Sequence, residues 1–263
     1  VRNQQKEDLQ MKKIIHLSDA HAGYQVCGAR MDQIVTNIIF RKEPASDYVV
    51  VVTGDLVNDA TEERNYPEVK SYLDRLTSAG FEVLVIPGNH DYGTGTLGSK
   101  AYVDLFKQTF FGRQDISYPK LDILADVAFI GLDSMAEELH WYDRLFAEGE
   151  LGSRQLSDLE KMLNSKKVKG CKKRVVYLHH HPFEPLPLHG LKDSTELGKV
   201  LKGKNINALL YGHNHFAHNS NGKWGIPRCY DGGSCTHKLG YPGPHRVIDL
   251  TRDPRLDYDG CFD

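Results

Sequence analysis

Five short clusters hold the side chains best suited to chemistry: Ser18-Asp19-Ala20-His21, Thr53-Gly54-Asp55, Gly88-Asn89-His90-Asp91, His179-His180-His181-Pro182 and Gly212-His213-Asn214-His215. Two carboxylates (Asp19, Asp55), one amide carbonyl (Asn89) and four imidazoles (His21, His180, His213, His215) make a donor set for borderline or hard divalent ions such as Mn, Fe, Zn, Ni or Co. That is too many donors for one tetrahedral zinc, but it suits two ions that share a bridging carboxylate. Asp55, at the end of a central strand, is the natural bridge. Asp19 and His21 lie two apart, so both reach one ion, and His213 and His215 flank the pair.

Each cluster directly follows a β-rich run: Lys13–Leu17, Tyr48–Thr53, Glu82–Ile86, 174–178 and Ala208–Tyr211. In open α/β sheets ligands bind at that C-terminal strand edge, so one rim would gather all five clusters. The run at 48–53 is continuously apolar, as expected of a strand buried on both faces. Between the strands, apolar residues at helical spacing predict helices over 30–40, 62–79 (closed by Gly80), 100–109 and 153–163. The last has Ser153 as its expected N-cap and Leu156, Leu159 and Leu163 on one face. A further strand is expected at 127–132, and Asn221-Gly222 predicts a hairpin between 217–220 and 223–226. Strands alternating with helices mark an α/β fold. With no internal repeat and no linker, residues 11–263 read as one domain. Residues 1–10, polar and mixed in charge, read as an extension outside it.

Composition narrows the function classes. The chain has 263 residues, 40% hydrophobic and 26% charged, which argues against wholesale disorder. Lys and Arg (33) nearly balance Asp and Glu (35), so no global field attracts nucleic acid or an anionic membrane. The run Lys166, Lys167, Lys169, Lys172, Lys173, Arg174 is short and reads as a solvated connection. No apolar run approaches the roughly 18 residues of a membrane span. The five cysteines are odd in number and irregular in spacing, which predicts reduced thiols in a cytoplasmic protein. Histidine is the conspicuous excess, at 13 residues. His16, His140, His189 and His245 fall outside the clusters and are assigned no metal role. The glycine-rich stretch 93–98 and the segment 183–192, with Pro185 and Pro187, are candidate walls of a substrate pocket.

In order, D-x-H, G-D, G-N-H-D, H-x-P and G-H-x-H resemble the calcineurin-like metallophosphoesterase superfamily. Residues 54–59, the helix at 152–163 and the His180-His181-Pro182 triplet look most like its class III cyclic-nucleotide phosphodiesterase branch. The resemblance covers residues 12 to about 250. It implies a four-layer α/β/β/α sandwich of two mixed β-sheets flanked by helices, with a dinuclear metal site at the C-terminal strand edges. One ion would be held by Asp19, His21, Asp55 and His215, the other by Asp55, Asn89, His180 and His213. The family ligand stands two residues before the proline, which selects His180 and leaves His179 buried on the strand, with His181 facing the substrate or supporting the ligands from behind; His179 is the alternative ligand. Mn, Fe or Zn are the expected ions, a water shared between them supplying the hydroxide that attacks phosphorus. His90 would donate to the phosphate or the leaving oxygen, with Asp91 orienting it or serving as a turn residue. Asn58 would touch a phosphate oxygen or close an Asx turn, and Tyr92 would border the substrate. The function expected is a metal-dependent hydrolase of a small-molecule phosphate ester, most like a cyclic-nucleotide phosphodiesterase, with a homodimer admitted. The alternatives are a DNA-repair-type nuclease of the same superfamily and an inactive scaffold that keeps the fold.

Overall fold

Alternation along the strands explains the layers. In β1 (Lys13–Leu17) and β2 (Tyr48–Thr53), Ile14, Val49 and Val51 face one way, while Ile15, Leu17, Val50 and Val52 face the other. The second set packs on α1 (Cys27–Ile39) and α2 (Asn65–Ser78) through Met31, Ile34, Val69 and Leu73. All six residues of β2 are buried, as its apolar run requires. Burying each such valine stabilises the fold by about 1.5–3 kcal/mol. β3 (Glu82–Ile86) extends this sheet in parallel, and α3 (Lys100–Phe111) adds Val103 and Phe106 to its helical cover.

A second sheet repeats the pattern. β4 (Lys120–Leu124) pairs antiparallel with β5 (Val127–Gly131), followed in parallel by β6 (Lys173–Tyr177) and β7 (Ala208–Tyr211). Ala128, Ile130, Val176 and Leu209 meet α4 (Gly152–Asn164) and α6 (Ser194–Leu201). A short α5 (Lys166–Lys169) sits in the basic run. Val127, Phe129, Val175, Tyr177 and Leu210 turn inward and meet Ile14, Val49, Val51 and Ile86 of the first sheet. The result is an α/β/β/α sandwich of two mixed sheets. β8 (His218–Asn219) and β9 (Cys229–Asp231) complete the second sheet, β10 (His245–Ile248) and β11 (Tyr258–Gly260) the first.

This computed structural model describes residues 13–62, 64–95, 97–135, 148–184, 190–236 and 245–260. The expected extension at 1–10, His140, His189, Pro185 and Pro187 lie outside them. Two local expectations are corrected. The chain does reverse at Asn221-Gly222, but residues 223–225 form a 3-10 turn and the returning strand is β9. Its register is set by β7, which pairs with β9 in parallel, rather than by the turn. Ser153 does not cap α4; the Asp193 carboxylate does so from a distance, accepting from Leu151 N and Gly152 N at 2.9–3.1 Å. The four described cysteines, Cys27, Cys171, Cys229 and Cys235, are free and buried. Among the described residues no helix is long and apolar enough to cross a membrane.

Candidate metal centre

Backbone pairing carries the first two clusters beyond their strands. Asp19 N donates to Gly54 O at 3.1 Å, His21 N to Asp55 O at 2.9 Å and Ala22 N to Leu56 O at 2.9 Å. The loops leaving β1 and β2 are therefore stitched side by side, with Asp19, His21 and Asp55 on the same edge. Gly54 is required there: φ is +89°, and a Cβ would lie 2.7 Å from both Gly88 N and His179 Nδ1. Five proposed ligands also adopt left-handed backbone, namely Asp19, His21, Asp55, His213 and His215. Non-glycine residues held there cost about 1–3 kcal/mol each, and such strain gathers at functional sites.

One donor group is closed. Ligand atoms of Asp19, His21, Asp55 and His215 lie within 4.8 Å of one another. His21 Nε2 is 2.9 Å from His215 Nε2, and Asp19 Oδ1 is 3.3 Å from His215 Nε2. Asp19 Oδ1 is buried without a hydrogen-bond partner, because Ser18 Oγ and His213 N both donate to Oδ2. Two imidazole nitrogens and a carboxylate oxygen turned on one point form a donor set that suits a divalent cation. Burial holds His21 down to about 3, so its ring is neutral and able to ligate.

The second group lies across Asp55. Asp55 Oδ2 sits 3.7 Å from His21 Nε2 and 3.4 Å from His179 Nε2, between the two groups, while Oδ1 accepts from His90 N at 2.9 Å. His179 Nε2 is 3.0 Å from Asn89 Oδ1, and His213 Nδ1 is 3.2 Å from both. Asn89 Nδ2 donates to Gly95 O at 2.9 Å, which fixes the amide with its oxygen inward. Burial holds His213 down to about 3. Burial pulls His179 down as well, but the Asp55 and Asp19 carboxylates overcome it and raise His179 to about 10 in the metal-free chain. A divalent ion and that proton compete for the same nitrogen.

The geometry favours His179, the alternative, over His180 for this donor group. His179 continues the inward parity of Val175 and Tyr177, and its Nδ1–H donates to Thr53 O at 2.7 Å, turning Nε2 to the site. His180 is engaged through Nδ1, which meets Ser134 Oγ at 2.8 Å, while its buried Nε2 makes no hydrogen bond and its ring packs 4.5 Å from that of His213. Counting in twos from Tyr177 was the sequence signal available.

Three further expectations change. Asp91 does not orient His90; its carboxylate accepts from Leu56 N, Val57 N and Gly88 N at 2.9–3.2 Å, tying two site loops together. The His90 ring is held by Asn58 O, 2.5 Å from Nδ1, and packs edge-on to His21. Tyr92 is fully buried against Phe106 instead of open to substrate, and its hydroxyl donates to Asp133 at 3.0 Å. His181 turns away, against Tyr211 and 3.8 Å from Asp231 Oδ2. Its Nδ1 accepts from Phe183 N at 3.1 Å, so the neutral ring carries its proton on Nε2 and has no lone pair there for a ligand. Asn58 remains beside His90, half-buried, with Oδ1 unpartnered.

Comparison with known proteins agrees with this geometry. The chain is 25% identical over 218 residues to a Rhodococcus erythropolis protein named "Probable cyclic nucleotide phosphodiesterase", covering 78% of this chain and 65% of that one. It is 25% identical over 224 residues to a "cAMP/cGMP dual specificity phosphodiesterase" of Mycobacterium tuberculosis, covering 79% and 63%. The match thus spans a little under two thirds of the length of either relative. TT1561 of Thermus thermophilus shares the fold, with a TM-score of 0.57 at 12% identity, over 96% of this chain and 100% of that one. A calcineurin-like phosphoesterase profile matches residues 12–217, the span that carries every donor above. The chain therefore belongs to the calcineurin-like phosphoesterase family.

Proposed function

We propose that this chain is a metal-dependent hydrolase of small-molecule phosphodiesters, of the class that includes cyclic nucleotides. The observation that carries the reading is the pair of donor groups sharing Asp55 Oδ2: Asp19, His21, Asp55 and His215 on one side, and Asp55, Asn89, His179 and His213 on the other. The names of the two curated relatives support the substrate class. When bound, two divalent ions supply Lewis-acid activation of water and neutralise charge on the phosphoryl oxygens. The remaining work falls to side chains. Asn58 O holds the His90 Nδ1 proton, so Nε2 is the working nitrogen. Neutral, it accepts; with a second proton, it donates to a phosphate or leaving oxygen. Asp91 keeps the Asp55 and Asn89 loops in register, acting as a positioning residue.

The test is hydrolysis of bis-(p-nitrophenyl) phosphate, p-nitrophenyl phosphate, cyclic AMP and single-stranded DNA with Mn²⁺, Zn²⁺ or Fe²⁺. Metal-dependent cleavage of the small diesters is expected. No hydrolysis with any ion would refute the enzyme reading, and cleavage of DNA alone would replace it with a nuclease.

A further inference from the structure

Beneath the ligands, the apolar layer between the sheets ends in a short polar chain. His16, Thr53 and Ser18 are all fully buried. His16 Nε2 lies 2.9 Å from Thr53 Oγ1, Thr53 Oγ1 lies 2.8 Å from Ser18 Oγ, and Ser18 Oγ meets Asp19 Oδ2. Contacts that would divert these hydroxyls to Leu17 O and Thr53 O are longer, at 3.4 Å each. The chain has only one direction. A carboxylate accepts, so the single Ser18 hydroxyl proton goes to Asp19. Ser18 Oγ then accepts from Thr53, and Thr53, its proton committed, accepts from His16 Nε2–H. Burial holds His16 down to about 3, so its ring is neutral with one proton. Its buried Nδ1 has no hydrogen-bond partner, as expected where Nδ1 carries the lone pair and the buried Arg246 across the strand pair disfavours a second proton.

We propose that His16, Thr53 and Ser18 are positioning residues for the metal centre, their one-way hydrogen-bond chain saturating Asp19 Oδ2 so that Asp19 presents Oδ1 alone. This rests on the metal-centre reading above. Oδ2 also accepts from His213 N at 3.1 Å, whereas Oδ1 has no hydrogen-bond partner and faces His215 Nε2 and His21 Nε2 at 3.3 and 3.9 Å. Two glycines leave room for the chain. A side chain at Gly212 would run into Ser18 Oγ, and one at Gly232 would lie 3.0 Å from His16 Cε1. None of the three supplies a donor atom to the cluster itself; Ser18 alone touches it, through Asp19 Oδ2.

The experiment uses the whole protein, first metal-free and then titrated with Mn²⁺. Nitrogen-15 NMR of the histidine rings reads the His16 tautomer, and calorimetry reads Mn²⁺ affinity in wild type, Thr53→Val and Thr53→Ser. The expected results are an Nε2–H tautomer at His16, affinity weakened about 10-fold or more in Thr53→Val with unchanged circular dichroism, and Thr53→Ser within about threefold of wild type. An Nδ1–H tautomer would overturn the proposal. So would Thr53→Val binding within twofold of wild type, or Thr53→Ser binding as weakly as Thr53→Val, which would assign the effect to packing. A wild type that binds no Mn²⁺ would overturn the metal-centre reading and this proposal together; a wild type that binds while Thr53→Val binds equally well overturns the chain alone.

Discussion

Neighbouring histidines at 179 and 180, just beyond the end of β6, have different partners. His179 reaches Asp55, Asn89 and His213, whereas His180 hydrogen-bonds Ser134. His179→Ala is therefore expected to lose one of two bound ions, and His180→Ala to keep both, as counted by elemental analysis after dialysis. Equal metal content in the two variants would contradict the assignment. Asp55 touches both groups, so Asp55→Asn should reduce turnover of bis-(p-nitrophenyl) phosphate by more than the about 10–100-fold typical of losing an outer-shell partner. Retention of half the wild-type rate would rule Asp55 out as the bridge.

Strands and helices act mainly by setting where loops begin. The strand ends were legible because a buried strand must be apolar and its exit must turn: β2, β3 and β7 match their expected bounds. Strand β4 and helix α6 escaped. Four of five β4 residues are half-buried, so the alternation signal is weak, and α6 spans only 8 residues. The cap of α4 was illegible for a different reason, since Asp193 lies 41 residues beyond the Gly152 N–H that it satisfies. Asp193→Ala should cost about 1 kcal/mol, read as a fall of about 2–4 °C in Tm; an unchanged Tm would remove the carboxylate from α4. After β5, burial raises Asp133 from 3.8 to about 6, opposed by hydrogen bonds from Met135 N and Tyr92. A folded-state value above the unfolded one means that the Asp133 contribution to stability is full below pH 3.8 and is lost as pH rises through 6, by about 3 kcal/mol in all. Asp133→Asn should remove that component, so the Tm difference from wild type must change between about pH 4 and 6 and level off above it. A constant difference would contradict a proton on Asp133.

At the scale of the molecule, two sheets that share one apolar layer hold the metal centre at their common edge. Elements far apart in sequence thus depend on one another through the ligands. Ions that bind only the folded state add stability, about 3 kcal/mol when free metal stands 100-fold above Kd. Chelation should therefore lower Tm by several degrees, and Mn²⁺ should restore it, as differential scanning fluorimetry would show. A Tm indifferent to chelator would mean that the ligands do not couple the sheets. The formal net charge of −2 leaves attraction for phosphate to the bound ions, because the chain as a whole provides no positive field.

By itself, the sequence determined that donor residues stand at the ends of five strands, and what kind of ion they suit. Donor chemistry belongs to residue type, and a strand end is a local event. The tertiary structure decided which way each donor faces. Thr53 O, from another strand, turns His179 inward; Leu56, Val57 and Gly88 claim Asp91; Asp133 claims the Tyr92 hydroxyl. Apart from Gly88, each of those partners comes from a distant part of the chain, and a buried polar group goes wherever its hydrogen bond can be made.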